Sequence, residues 1–353
     1  MRTEPVTLDR VSLPALPADL IRARIVEWER RYRAARSPAT MKAIRSDWSA
    51  FMRWAIGNHV AILPIAPADL VRYLTDLVVE GKRRATVDRA LNTIRVIHGA
   101  AGLGDPTRFP DWKLEWQSIV RQLADHRKNA PRQAKALKAS HVDRILASLG
   151  DSPRDLRDAA LISLASDTLC RESELVALRL EDFEPSPPHW AVELRRSKTD
   201  QAAIGTSRFC SSATKARLDA WCSAAGITSG FLFYRVMPKK LATGAKAIIL
   251  HNAPLRPAEV ARIFLRRARA AGLTGVHFTG HSARVGSAVE LIESDASVTA
   301  VRFAGGWNSD RMVMRYARGA LVGRGAMAQL RAAQTAGRSA GGPDGALAGG
   351  STT

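Results

Sequence analysis

The chain has 353 residues, more than one ordinary domain and enough for two with flanks; 46% are apolar, yet no apolar run approaches a membrane span. Lys and Arg number 53 against 33 Asp and Glu, a formal net charge of +20 that is spread over both halves, so no single basic tail explains it. Three cysteines (Cys170, Cys210, Cys222) lack metal-ligand spacing and cannot all pair, and residues 1–17 lack the apolar core of a secretory signal, which together point to a cytoplasmic protein. A polyanion contacted by both halves accounts for the charge, nucleic acid first, with an Arg-rich proteome as the competing explanation.

Residues 1–15 have no periodicity and read as a flexible arm. Residues 18–35 read as an amphipathic helix with Leu20, Ile21, Ile25 and Trp28 on one side. Ser37 and Pro38 fit the N-cap and first position of a helix running to about residue 55. Pro67 opens a helix over 68–80 that Gly81 closes, and helices over 86–100 and 112–126 follow. Residues 16–126 are therefore expected to form an all-helical bundle. Thr40, Lys42 and Arg45 sit early in one helix; Lys82, Arg83 and Arg84 precede another that carries Arg89. Such ends suit major-groove entry and phosphate anchoring, and solvated helix faces are the equally available reading. Residues 127–137, basic and poor in apolar side chains, read as a linker that would let two domains close around a duplex.

The second half opens with helices over 139–149 and 153–178. Arg171 falls in the latter, between Leu161, Ile162 and Leu164 upstream and Leu175, Val176 and Leu178 downstream. A buried arginine is costly unless paired, and Glu172 or Glu174 could pair it. Residues 189–195 and 203–210 flank the polar turn Ser197-Lys198-Thr199-Asp200, a β-hairpin pattern in which Lys198 alone would be a solvated turn residue. A helix over 212–224 follows. Residues 231–250 read as irregular, with Lys239 and Lys240 in a loop. Residues 257–270 read as an Arg-rich helix, with Arg262, Arg266, Arg267 and Arg269 opposite Val260, Ile263 and Phe264.

The most informative stretch is 280–316. His281 and Arg284 share one face near the start of a helix whose apolar side is Val285, Ala288, Val289 and Ile292. Gly305 and Gly306 break the chain before a helix over 309–317 that carries Tyr316. An imidazole, a guanidinium, the indole N–H of Trp307 and a phenol suit attack by the phenol oxygen on a phosphodiester, with the other groups holding the phosphoryl oxygens. His-x-x-Arg alone would as readily be a satisfied histidine and an exposed cation. Of the other tyrosines, Tyr32 and Tyr73 lie in the helical first half and Tyr234 reads as core. Residues 324–333 read as a short helix with Met327 and Leu330 on one face, and 335–353 as a Gly/Ala/Ser-rich disordered tail. The sequence shows no internal repeat, P-loop or metal-ligand cluster.

His281-Ser-Ala-Arg284-Val-Gly286, Ala304-Gly-Gly-Trp307 and Val313-Met-Arg-Tyr316, in that order, resemble the C-terminal signature of the tyrosine recombinases, the phage integrase family. Thr168-Leu-Cys-Arg171-Glu-Ser-Glu174-Leu is similar to the family's first catalytic box, and Arg-Arg-Ser-Lys198-Thr resembles its hairpin carrying the general-acid lysine. Trp307 places the chain with the branch that has tryptophan where most members carry a second histidine. The resemblance covers about residues 16–334 and implies a mainly α chain. A helical core-binding, DNA-binding domain (16–126) would precede a mixed α/β catalytic domain (138–321) with a small β-hairpin sheet, then a C-terminal helix (322–334) exchanged between protomers. It implies Tyr316 as nucleophile, Arg171, Arg284 and Trp307 on the non-bridging oxygens, His281 in phosphate binding and proton transfer, Lys198 protonating the leaving oxygen, and Glu174 supporting Arg171.

It further implies site-specific recombination through a 3′-phosphotyrosine and a Holliday junction, without ATP, metal or other cofactor. The partners would be double-stranded DNA with paired inverted half-sites and three further copies of the chain, monomeric when free. Arg89 stands where that branch has glutamine, and Ala258 and Ala261 where it has charged readers, so a shared target site is not implied. The competing readings are a type IB topoisomerase or telomere resolvase, and a non-catalytic DNA-binding protein on the same scaffold.

Overall fold

The computed structural model describes residues 16–125, 133–195, 206–240, 246–323 and 325–340. The expected arm (1–15), the Lys198 turn, and the greater parts of the expected linker and tail lie outside the described residues. The chain divides into two compact units, Met1–Arg132 and Gln133–Thr353.

The first unit is helical: α1 (Ala18–Ala35), α2 (Pro38–Gly57), α3 (Pro67–Val79), α4 (Arg84–Ala101) and α5 (Trp112–Asp125). Ser37 caps α2, its Oγ accepting from Thr40 N at 3.2 Å, with Pro38 in the first turn. Phe51, Leu70, Tyr73, Leu74, Val87, Ile94, Ile119 and Leu123 make the core of α2–α5. Two polar groups sit within it. Asp47 accepts both Arg89 Nε (2.7 Å) and Arg89 Nη2 (2.8 Å), tying α2 to α4. His98 accepts Ile65 N at 3.1 Å and pairs with Ile94 O at 2.9 Å, and burial pushes its pKa down. α1 differs from the expected half-buried helix. It rests against α4, but none of its residues is buried and Leu20 is 40% exposed. Its Glu27 and Glu29 are engaged by Arg30, Arg31, Arg33 and Arg45 instead.

The second unit is mixed. Its elements are α6 (Ala139–Ala147), α7 (Pro153–Thr168), α8 (Glu172–Leu175), β1 (Phe183–Ser186), β2 (His189–Leu194), β3 (Thr206–Cys210), α9 (Ser212–Ala225), β4 (Tyr234–Lys240), β5 (Lys246–Pro254), α10 (Pro257–Ala270), α11 (Ser282–Glu293), α12 (Val298–Gly305), α13 (Asp310–Gly323) and α14 (Ala326–Ala340). Strands β1, β2 and β3 form an antiparallel sheet in that order, and β4 and β5 a separate hairpin. Leu161, Ile162 and Leu164 of α7, Trp221 of α9 and Phe264 of α10 meet Phe233 and Phe278 in the main core. A smaller cluster of Leu169, Ala288, Ile292, Val301, Trp307 and Val313 packs under Tyr316. Cys170, Cys210 and Cys222 are free and buried, and burial raises their thiols to about 11, 12 and 11. No helix among the described residues is long and apolar enough to cross a membrane.

Four expectations need correction. The single helix over 153–178 is α7 and α8 with a break between them. Thr168 Oγ1 donates back to Leu164 O at 2.6 Å and Leu169 takes the left-handed conformation (φ 51°), so the chain reverses and restarts at Arg171. The apolar period runs through the break because both helices face the same core. Residues 231–250 are not irregular but contain β4 and enter β5. Pro238 is tolerated there because a two-stranded sheet has only edges. α12, capped by Ser297 Oγ accepting from Ala300 N at 3.1 Å, is an element the reading lacked. α14 continues to Ala340, into the stretch read as tail.

Candidate active site

Three pieces of the second unit meet at one pocket: the α7–α8 break, the start of α11 and the α12–α13 corner. Arg171 is the N-cap of α8. Glu174, 5% exposed, grips it twice: Oε2 accepts Arg171 N at 2.8 Å and Oε1 accepts Arg171 Nη1 at 2.5 Å. The arginine is thus fixed at backbone and side chain by one carboxylate, and its side chain stays 17% exposed. Of the two partners open to it from the sequence, Glu174 pairs with Arg171. Glu172 turns to His281, its Oε1 3.9 Å from Nδ1.

Arg284 is 2% exposed. Its Nη1 donates to Leu169 O, the carbonyl released where α7 ends, while its Nη2 is buried without a hydrogen-bond partner. Its guanidinium carbon lies 4.2 Å from the centroid of the Trp307 ring, a cation–π stack. Burial, and then the charge of Arg171, pulls its pKa down to about 10. His281 is the N-cap of α11, its carbonyl accepting Val285 N at 3.0 Å, and its imidazole is half exposed above the buried Arg284.

Trp307 is 7% exposed and follows a corner that only glycine allows. Gly306 has φ 63°, and a Cβ on Gly305 would stand 2.0 Å from the indole ring. Trp307 N donates to Arg302 O at 3.0 Å, which ends α12 and turns the indole inward. The Trp307 and Tyr316 rings are 5.7 Å apart, tilted by 48°. Tyr316 is half-buried on α13, and its backbone carbonyl accepts Gln133 Nε2 at 2.9 Å. The pocket therefore holds Arg171, Arg284, Trp307, Tyr316 and Glu174 together, with His281 at its rim. Lys198 lies outside the described residues. Chemically this is a partly buried, cationic site beside a phenol, with Glu174 engaged by Arg171 and Glu172 facing His281: a site suited to an anion. Among the described residues no cluster of His, Cys, Asp or Glu could hold a metal ion.

The cations read as DNA contacts separate into two groups. Lys42, Arg83 and Arg262 are exposed. The others are engaged: Arg45 with Glu29 (2.5 Å), Lys82 with Glu80 (3.3 Å), Arg84 with Asp88 (2.8 Å), Arg89 with Asp47 (2.7 Å) and Arg266 with Asp158 (3.0 Å). Thr40 completes the α2 cap, its hydroxyl 3.0 Å from Ser37 Oγ. Two residues near the pocket escaped the sequence reading. Gln133 offered no signal. Arg208 sat at an inward position of the alternating β3 strand, and a strict two-residue period would have exposed it.

A profile of the phage integrase family matches residues 135–320. The recombinase Cre of Escherichia phage P1 is 27% identical over 331 residues, 90% of this chain and 96% of that protein. An integrase/recombinase XerD homologue of Selenomonas ruminantium is 29% identical, covering 82% of this chain and 84% of its own. In three dimensions the Tn1549 transposon integrase, solved in complex with transposon right-end DNA, superposes with a TM-score of 0.55 at 14% identity, over 86% of this chain and 98% of that one, a likeness of fold. With its arginines, tryptophan and tyrosine assembled on that fold and the profile spanning more than half its length, the chain belongs to the phage integrase family, the tyrosine-type site-specific DNA recombinases.

Proposed function

We propose that this recombinase cuts and rejoins duplex DNA through a covalent phosphotyrosine at Tyr316 and a Holliday junction, without ATP. The observation that carries the reading is the stack of buried Arg284, Trp307 and Tyr316 beside the Glu174-held Arg171. Glu174 pairs with Arg171 alone, Arg284 has no carboxylate partner among the described residues, and a phosphodiester supplies the missing negative charge. Tyr316 Oη attacks phosphorus, the bond from phosphorus to the 5′ oxygen breaks, and the 3′ phosphate remains on the tyrosine. The phenol proton leaves through His281 or water, and a proton reaches the 5′ oxygen from Lys198, which takes that role by its place in the family motif. Arg171 and Arg284 neutralise the non-bridging oxygens, the job that divalent cations do in many phosphoryl-transfer sites. The Trp307 N–H is the third donor, on a ring stacked on Arg284. The covalent link conserves the energy of the broken bond, so a second 5′ hydroxyl can reverse the step.

The complex of the Tn1549 integrase with DNA supports DNA as the partner. Lys42, Arg83 and Arg262 are the side chains first available to its phosphates and bases. Paired inverted half-sites and four protomers complete the reading. α14, with Met327 62% and Leu330 49% exposed, is the segment that would dock on a neighbouring protomer. The test is Tyr316→Phe on a nicked duplex. DNA binding is expected to persist while the covalent protein–DNA band on a denaturing gel disappears. A wild-type yield of that band would remove Tyr316 from the chemistry.

A further inference from the structure

One buried cation of the second unit is unused by this chemistry. Arg208 faces inward from β3, opposite Val192 of β2, and is 5% exposed. Its Nη1 donates to Ser207 O at 3.2 Å, while its Nε is buried without a partner. No carboxylate among the described residues lies within ion-pair distance of it. Its Nη2 lies against Gly306, close enough that a Cβ there would stand 1.9 Å away. Gly306 is the corner that sets the direction of Trp307. Burial depresses the Arg208 pKa, Cys170 and Glu174 act against that, and Arg171 adds to it, so the groups that feel its charge are those of the α7–α8 break. A buried guanidinium left without a counter-ion is expensive, and an apolar side chain would fill the same space at lower cost. Such a residue is tolerable where a bound anion completes its surroundings.

We propose that Arg208 is a positioning residue of the strand-transfer site, holding the 305–307 corner from beneath and adding positive potential at the phosphate held by Arg171 and Arg284. The proposal rests on the functional reading above. Two effects follow from the geometry. The edge of the guanidinium against Gly306 fixes where Trp307 begins, and thereby the ring that stacks on Arg284. Its charge, unpaired among the described residues, is that of a third guanidinium beside Arg171 and Arg284, with Glu174 the carboxylate that pairs Arg171. In a dry interior that field reaches further than it would in water.

The experiment measures single-turnover formation of the covalent adduct at saturating DNA, on two nicked duplexes. One carries an ordinary phosphodiester at the cleavage site. The other carries a methylphosphonate there, in which a methyl group replaces one non-bridging oxygen and the linkage is neutral. Wild type must form the adduct on the phosphodiester, and if it does not, the functional reading is what has failed. Arg208→Gln is expected to lose about 30-fold or more in rate on the phosphodiester at unchanged DNA affinity, and less than about threefold on the neutral linkage. Arg208→Lys keeps the charge and is expected to stay within about tenfold of wild type on the phosphodiester. Equal losses on both linkages indicate a purely structural role and overturn the proposal, as do wild-type rates in Arg208→Gln. Should Arg208→Gln not fold, judged by circular dichroism, Arg208→Lys is run on both linkages. A loss on the neutral linkage as large as on the charged one then overturns it equally.

Discussion

Arg284 is held in conflict with its own stability. It is buried, one of its nitrogens is unpartnered, and Arg171 repels it. A cation whose folded pKa lies below its unfolded value costs stability at every pH where it stays charged in the fold. That cost is full below about 10 and is relieved as the pH rises through the folded pKa. Arg284→Met, similar in length and apolar, is expected to lose adduct formation by a factor of ~100 or more, since a preorganised charge at the phosphoryl group is gone. The same variant is expected to melt at or above the wild-type temperature, a gain of ~1 kcal/mol corresponding to about 2–4 °C for a domain of this size. In urea titrations its advantage over wild type should shrink between pH 8 and pH 10.5, as wild-type Arg284 gives up its proton. A melting temperature well below wild type would mean that the bond to Leu169 O outweighs the buried charge. The residue types of this pocket were legible in the sequence because the motif spacing is stiff. Arg208 was not, because its partner Gly306 lies far away in the chain and only packing brings them together.

At the scale of single elements, α2 and α4 hold a cation, read from the sequence as a DNA contact, that is engaged within the fold. Arg89 looked like a groove-facing cation, yet its fork is closed on the 8%-exposed Asp47, with Thr93 Oγ1 a further 3.4 Å neighbour of that carboxylate. Removing it leaves a buried carboxylate unpaired, a loss of about 1–3 kcal/mol. Arg89→Ala is therefore expected to lower stability in chemical denaturation more than it weakens DNA binding. Lys42→Ala and Arg83→Ala should do the reverse, leaving stability unchanged and each reducing the slope of log K against log salt by about 1. If Arg89→Ala proves neutral to stability while lowering that slope, the staple opens on DNA and Arg89 is a DNA contact. The α7–α8 break belongs to this scale too. Its left-handed Leu169 frees the carbonyl that Arg284 takes, so an irregularity invisible to hydrophobic period is part of what builds the pocket.

For the molecule as a whole, the proposed assembly turns on the C-terminal end of the chain. Val322, Met327 and Leu330 are 74%, 62% and 49% exposed along the end of α13 and α14, a face left uncovered in the single chain. If α14 docks on a neighbour, removal of residues 325–353 should leave binding to one half-site intact and abolish cooperative binding to a paired site in mobility-shift titrations. Removal of 341–353 alone should change neither. Undiminished cooperativity in the longer truncation would place the linkage between subunits elsewhere. Because the net charge is +20, these titrations compare variants only at one fixed ionic strength.

What the sequence determined by itself was whatever depends on neighbours along the chain. Ser37-Pro38 starts α2, Gly305 and Gly306 break the chain ahead of the helix that carries Tyr316, and the ordered motif from His281 to Tyr316 names the family, since local geometry and fixed spacing are written in consecutive residues. What only the tertiary structure decided was which charges meet. Glu172 turns to His281, Asp47 claims Arg89, and Arg208 comes up beneath Gly306. Pairing of that kind is settled by burial: once a charge leaves water its partner is fixed by packing across the fold, and no spacing along the chain records that choice.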